Sequence, residues 1–194
     1  MQFLVTPYSQ SIEPYAWWRG AFTDDELNYL NTIASAAEDR ASAGNHDSES
    51  VLKVRRSKVS WLECNAETEW IYNRLGHVVS SLNAQYYGFD LTGFAEPLQL
   101  TRYQMSEQGM YGWHQDSGKG GEPNRKLSLS VQLSDPSEYE GGNLEIKTSQ
   151  EPETIPREKG LIAVFPSYTL HQVTPVVQGE RASLVTWVSG PLFR

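Results

Sequence analysis

Leu127-Ser128-Leu129-Ser130-Val131-Gln132-Leu133 alternates apolar and polar residues without a break. A period of two belongs to a strand, whose successive side chains leave opposite faces, so the leucines and Val131 share one face and Ser128, Ser130 and Gln132 the other. Shorter β-rich runs surround it, at 98–105, 144–147, 161–165, 170–174 and 182–188, separated by Gly, Pro and Asp turns. Upstream of Gly88 the period changes. Ile71, Leu75, Val78, Val79, Leu82 and Tyr86 recur at three- and four-residue steps, which predicts a helix over about 66–86. An earlier helix opens at Thr23-Asp24-Asp25-Glu26, where Thr23 and Glu26 stand at capping-box spacing, and continues through Leu27, Leu30, Ile33 and Ala37. Residues 41–50 turn polar around Gly44 and Asn45 and read as a loop.

Helices followed by many short strands describe an α+β fold, a jelly-roll sandwich buttressed by N-terminal helices. At 194 residues the chain fits one domain. Its expected divisions are an N-terminal extension over 1–20, mainly helical support with edge strands over 21–96, and the jelly-roll core over 97–194. The loops 117–125 and 135–142 are candidate lids.

A formal net charge of -8 opposes binding to nucleic-acid phosphates. The one dense basic cluster, Lys53, Arg55, Arg56 and Lys58, reads as a solvated edge strand. A single cysteine, Cys64, excludes an internal disulfide framework and a thiolate zinc cluster, and it reads as a small buried hydrophobe. No signal peptide and no apolar run of bilayer length is evident, so no membrane partner and a cytoplasmic setting are expected.

His114-Gln115-Asp116 puts an imidazole and a carboxylate two residues apart, on the same side of an extended segment. Alone that pair is weak. His171 supplies a third donor at the start of a strand, and two histidines with one carboxylate make the facial set suited to non-haem iron(II), which leaves sites open for a 2-oxo acid and dioxygen. Ten residues on, Arg181 shares a strand face with Ser183, a guanidinium and a hydroxyl able to hold a remote carboxylate. Ser128 and Ser130 belong beside that co-substrate. For Gln132, co-substrate contact and an exposed sheet face stand equal. Tyr103 and Tyr111 are further candidates. Trp113 alternates with His114 and reads as core facing away from the metal. His46, in a polar loop, and His77, on a helix, are not expected to bind iron.

These residues lie in stretches that resemble the prolyl 4-hydroxylase-like branch of the iron(II)- and 2-oxoglutarate-dependent oxygenases, including the PKHD-type hydroxylases. The likeness is carried by Tyr103, Tyr111-Gly112-Trp113-His114-Gln115-Asp116, Arg125-Lys126-Leu127-Ser128, Tyr139-Glu140-Gly141-Gly142, Phe165-Pro166-Ser167 and the run from His171 to Arg181. It implies a double-stranded β-helix, iron(II) on His114, Asp116 and His171, and 2-oxoglutarate on Arg181 with help from Tyr103. Dioxygen is the co-substrate it implies, with ascorbate as an accessory reductant. The implied reaction is hydroxylation of an unactivated C–H bond, foremost in a prolyl residue of a peptide or protein, with release of succinate and CO2. Tyr111, Ser130, Gln132 and Trp187 are the candidate substrate contacts. The animal and plant collagen-type enzymes carry a lysine where this chain has Arg181, which puts a collagen-like substrate in doubt. The rival expectations are a free amino acid or small metabolite as substrate and, in another class, a jelly-roll module that binds without turnover.

Overall fold

The computed structural model describes residues 12–35, 53–117 and 124–192. The loop expected over 41–50, His46, Ala37 and most of the candidate lid 117–125 lie outside them. The described chain runs β1 (Ala16–Trp18), α1 (Asp24–Ser35), β2 (Arg55–Arg56), β3 (Lys58–Leu62), α2 (Glu69–Leu82), β4 (Leu98–Gln104), β5 (Met110–His114), β6 (Arg125–Gln132), β7 (Tyr139–Gly141), β8 (Leu144–Lys147), β9 (Glu153–Thr154), β10 (Ile162–Pro166), β11 (Leu170–Val173) and β12 (Val176–Ser189).

Two antiparallel sheets form the sandwich. The larger has the order β1-β10-β6-β12-β4-β3, with β7 pairing a further length of β12, and the smaller has the order β2-β5-β11-β8-β9. The period-two pattern decides how the layers meet. Leu127, Leu129, Val131 and Leu133 leave β6 toward the helices and are fully buried with Leu30 of α1 and Ile71 and Leu75 of α2. The opposite face of the larger sheet meets Leu144 and Ile146 of the smaller sheet in a second core with Tyr103, Ala163 and Phe165. Serines and Gln132 of β6 therefore point between the sheets.

α1 begins as expected: the Thr23 amide donates to Glu26 Oε2 at 2.8 Å and the Glu26 amide to Thr23 Oγ1 at 3.3 Å. Arg74 of α2 pairs with the same glutamate and ties the two helices together. α2 starts at Glu69, later than the stripe suggested, and passes into a π-helical turn over Asn83–Tyr87 that Gly88 stops with φ +64°. The second candidate lid is ordered by Asp135, which caps a short 3-10 turn at Pro136–Glu138, and by β7. Where β7 meets β12, Gly179 has φ +70° and a Cβ would stand 2.0 Å from the Glu138 carbonyl oxygen, so only glycine fits.

Three expectations are corrected. Cys64 is exposed, because it follows β3 at the surface. Trp113 faces away from the metal candidates as alternation requires, but it is 37% exposed with the Lys147 ammonium 5.7 Å from its ring, so it is not core. Arg55 is 7% exposed, so the basic cluster is not uniformly a solvated edge: alternation turns Arg55 and Ser57 inward and leaves Arg56 and Lys58 partly open. Among the described residues no helix is long and apolar enough to cross a membrane.

Candidate metal centre and anion pocket

His114 ends β5 and His171 lies opposite it on β11 as its register partner, so one strand pairing sets both imidazoles side by side. Asp116 follows two residues beyond β5, its amide donating to the Ser167 carbonyl at 2.8 Å. One donor atom from each of the three lies within 4.8 Å of the others. Nε2 of His114 is 3.5 Å from Asp116 Oδ1, and Nε2 of His171 is 3.4 Å from Oδ2. The Nδ1 atoms are engaged by carbonyls two residues back, Gly112 at 2.8 Å and Thr169 at 2.9 Å. Those contacts fix the ring orientation and leave each Nε2 to the shared space.

Such a converging set of lone pairs and negative charge calls for a cation or a proton at its centre. Burial, with His171 adding to it, pushes the His114 imidazole down to about 4. Burial also acts to lower His171, but the Asp116 charge and hydrogen bond outweigh it and raise its pKa. Burial acts to raise the Asp116 carboxyl, yet His171 and then His114 hold it well below the usual carboxylate range. Trp187 adds to that depression, though its buried indole N–H makes no hydrogen bond of normal geometry. Ser128, expected beside the co-substrate, instead donates to Asp116 Oδ2 at 2.8 Å and lies 3.0 Å from Ser167 Oγ.

The second cluster also lies between the sheets. Arg181, 3% exposed, stands across from Tyr103 in the β12–β4 register, with its guanidinium 5.5 Å from the Tyr103 ring. Its Nε donates to Gln132 Oε1 at 3.1 Å and its Nη1 to Ser183 Oγ at 3.4 Å. Gln132 in turn donates to the Tyr139 hydroxyl at 2.9 Å. A pocket opens here between Ser130, Gln132, Tyr139, Arg157 and Arg181. Ser130 and Gln132, candidate substrate contacts in the sequence, thus share the space of the candidate co-substrate anchor. Tyr139 and Arg157 were missed. Tyr139 lies in one of the resembling stretches and was legible there, whereas nothing local marks Arg157.

Trp187 and Tyr111, the other substrate candidates, border the triad. The Arg125 guanidinium lies 3.8 Å from the Trp187 ring centroid and is fixed by Glu96 at 2.7 and 2.5 Å. Tyr111 stacks on the His114 imidazole. His77 stands apart, edge-on to Trp18.

Residues 98–189 match the family model described as the 2OG-Fe(II) oxygenase superfamily. Over that segment the chain is similar to the superfamily. The segment contains the whole triad and Arg181, and the prolyl 4-hydroxylase-like branch is the part of the superfamily it resembles. A PKHD-type hydroxylase of Prochlorococcus marinus is 42% identical over 43% of this chain and 38% of its own length. One from Sphingopyxis alaskensis is 34% identical over 55% of this chain and 50% of its own length. The chain thus spans half or less of these curated relatives. In fold, a prolyl-4-hydroxylase from Pseudomonas putida superposes with a TM-score of 0.70 at 18% identity, covering 92% of this chain and 94% of that one. A prolyl hydroxylase from Trichoplax adhaerens, in complex with a hypoxia inducible factor oxygen degradation domain peptide fragment, gives 0.74 at 16% identity over 91% and 84%. A double-stranded β-helix, or jelly roll, is accordingly the fold of this chain.

Proposed function

We propose that this chain is an iron(II)- and 2-oxoglutarate-dependent oxygenase that hydroxylates a prolyl residue in a peptide or protein, releasing succinate and CO2. The observation that carries the proposal is the pairing of two clusters along one face of β6: three converging donors, with Ser128 bonded to Asp116, and a buried guanidinium bonded to Gln132 that has no carboxylate within ion-pair distance among the described residues. Two imidazoles and one carboxylate match the donor preference of non-haem iron(II) and leave a face open. Bound there, iron(II) supplies the activation of dioxygen that drives oxidative decarboxylation of the 2-oxo acid and oxidation of the C–H bond.

The chain's own residues hold and orient. His114, Asp116 and His171 would hold the ion, and Ser128 keeps the carboxylate turned toward it. Arg181, with Ser183 and Gln132 fixing its guanidinium, would take the distal carboxylate of 2-oxoglutarate in a two-point pair. Tyr103 packs against that guanidinium and closes the inner end to water. One oxygen atom leaves in succinate and the other in the product hydroxyl, so no side chain need donate or accept a net proton.

A peptide substrate is supported by the branch resemblance and by the peptide held by the Trichoplax structural neighbour. Free amino acids or small metabolites form the second reading. The test is anaerobic addition of iron(II) and 2-oxoglutarate, which should give a visible absorption that His114→Ala abolishes, followed by aerobic assay of proline peptides and free amino acids. Succinate together with a mass gain of one oxygen on a peptide supports the proposal. A colourless mixture supports a binding module instead.

A further inference from the structure

Among the described residues only two arginines are buried, Arg181 at 3% and Arg55 at 7% exposure. Of the partly buried guanidinium groups, Arg125 pairs with Glu96, Arg102 with Glu180 and Arg74 with Glu26, while Arg157 and Arg56 bond carbonyl oxygens. Neither Arg181 nor Arg55 has an acid within ion-pair distance among the described residues. Removing a cation from water without an opposing charge is costly, and evolution retains such a group where a ligand brings the charge.

Arg55 sits on β2 as the register partner of Tyr111. Its Nε donates to Ser57 Oγ at 2.9 Å, and its guanidinium carbon lies 4.7 Å from the Tyr111 ring centroid. Tyr111 stacks face to face on His114, with centroids 3.5 Å apart and planes 15° from parallel. One aromatic ring therefore separates the cation from a candidate iron ligand. The terminal nitrogens of Arg55 make no hydrogen bond to any described residue, while its neighbour Arg56 turns to the Gln108 carbonyl. Arg55 thus repeats the arrangement of Arg181, a buried guanidinium leaning on a tyrosine with no acid beside it, but on the smaller sheet rather than the larger.

We propose that Arg55 is a second carboxylate receptor, and that the substrate carries a carboxylate close to the carbon that is oxidised. The proposal rests on the oxygenase reading only for what happens after binding. From Arg55 across one ring to His114 is a span that one or two residues bridge, so the carboxylate belongs either to a free amino acid or to an acidic residue beside the target in a peptide.

The test measures affinity by tryptophan fluorescence, with the full chain loaded with Mn(II) and 2-oxoglutarate. Two probe pairs are compared: L-proline against L-prolinamide, and a proline peptide with a flanking glutamate against the same peptide with glutamine. The carboxylate member of at least one pair should bind tenfold or more tightly, and that advantage should drop below threefold in Arg55→Met. A preference confined to the first pair assigns a free amino acid, and one confined to the second an acidic peptide. Affinity for 2-oxoglutarate should stay within twofold in the variant, and its melting temperature should fall by only a few degrees, since the lost cation strands no acid and only the Ser57 hydroxyl loses a donor. No preference in either wild-type pair, a preference that survives Arg55→Met, or failure of both Arg55→Met and Arg55→Gln to fold would overturn the proposal. If 2-oxoglutarate does not bind while the preference persists, the oxygenase reading fails and the receptor stands.

Discussion

Arg181 and Gln132 are bound side chain to side chain, the arginine Nε donating to the glutamine Oε1 at 3.1 Å from neighbouring strands on which Gln132 faces Ser183, two residues beyond Arg181. Gln132 thereby orients the guanidinium and, through its amide nitrogen, the Tyr139 hydroxyl. Gln132→Leu should remove a charge-assisted hydrogen bond, worth roughly 1.5–3 kcal/mol, and weaken 2-oxoglutarate by about tenfold or more. Calorimetric titration of 2-oxoglutarate checks this, and metal affinity should remain as in wild type.

Gly142 adjoins the Arg181 side chain from the turn between β7 and β8. With φ +60°, an added Cβ would meet Val176 Cγ2 at 2.9 Å and Arg181 Cδ at 3.1 Å. Gly142→Ala should cost on the order of 1–3 kcal/mol of stability through backbone strain and lower 2-oxoglutarate affinity as Arg181 yields. Chemical denaturation and the same titration read both effects; normal values in each would remove Gly142 from the pocket's architecture.

Ser128 distinguishes metal support from co-substrate contact. Ser128→Ala leaves Asp116 without its hydroxyl donor and should weaken Mn(II) binding by roughly tenfold to a hundredfold, with a smaller effect on 2-oxoglutarate. The reverse order would return Ser128 to the role its sequence position first suggested.

Metal uptake should release protons. The His171 pKa is raised in the folded protein, so this imidazole keeps to higher pH than a free one the proton that an incoming ion must displace, while His114 is lowered to about 4. Metal affinity should therefore fall as pH drops. Calorimetry in buffers of differing ionisation enthalpy measures the proton count, and a count of zero at pH 7 contradicts the assignment.

Away from the site, burial acts to raise Glu26, but its bond from the Thr23 amide and its pairing with Arg74 prevail and lower it below the ordinary glutamate range. A depressed carboxylate contributes stability above its unfolded pKa and loses it as pH falls through the folded one. Glu26→Gln should flatten the stability profile below about pH 4.5 and cost up to about 1 kcal/mol at neutral pH through the lost pairing with Arg74, since glutamine can keep the capping box. A denaturation series at several pH values follows it.

Much of this could be read from residue order. The alternation over 127–133 assigned inner and outer faces correctly, because one side of β6 packs on helices and the other on a polar cavity. β5 escaped assignment as a run because Met110-Tyr111-Gly112-Trp113-His114 has no clean alternation, its residues being half-buried or exposed throughout. Trp113 was placed on the correct side but in the wrong environment: period two gives direction and is silent on whether another layer waits there. Arg55 was hidden by its company. Four basic residues in six positions look like a solvated run, and only the strand alternation through Ser57 separates the inward arginine from its neighbours. Cys64 reads as buried by residue type, yet the turn into α2 leaves it outside.

Arg181 rides on a strand hydrogen-bonded along both sides, by β4 and by β6, whereas Arg55 stands on a two-residue strand at the rim of the smaller sheet. Amides of an interior strand exchange with solvent only when large parts of a domain open together; those of a short rim strand exchange by local fraying. Replacements around Arg181 therefore threaten folding itself, while replacements around Arg55 disturb little else. A lineage built on this scaffold is free to rewrite what it oxidises far more cheaply than what it consumes in doing so.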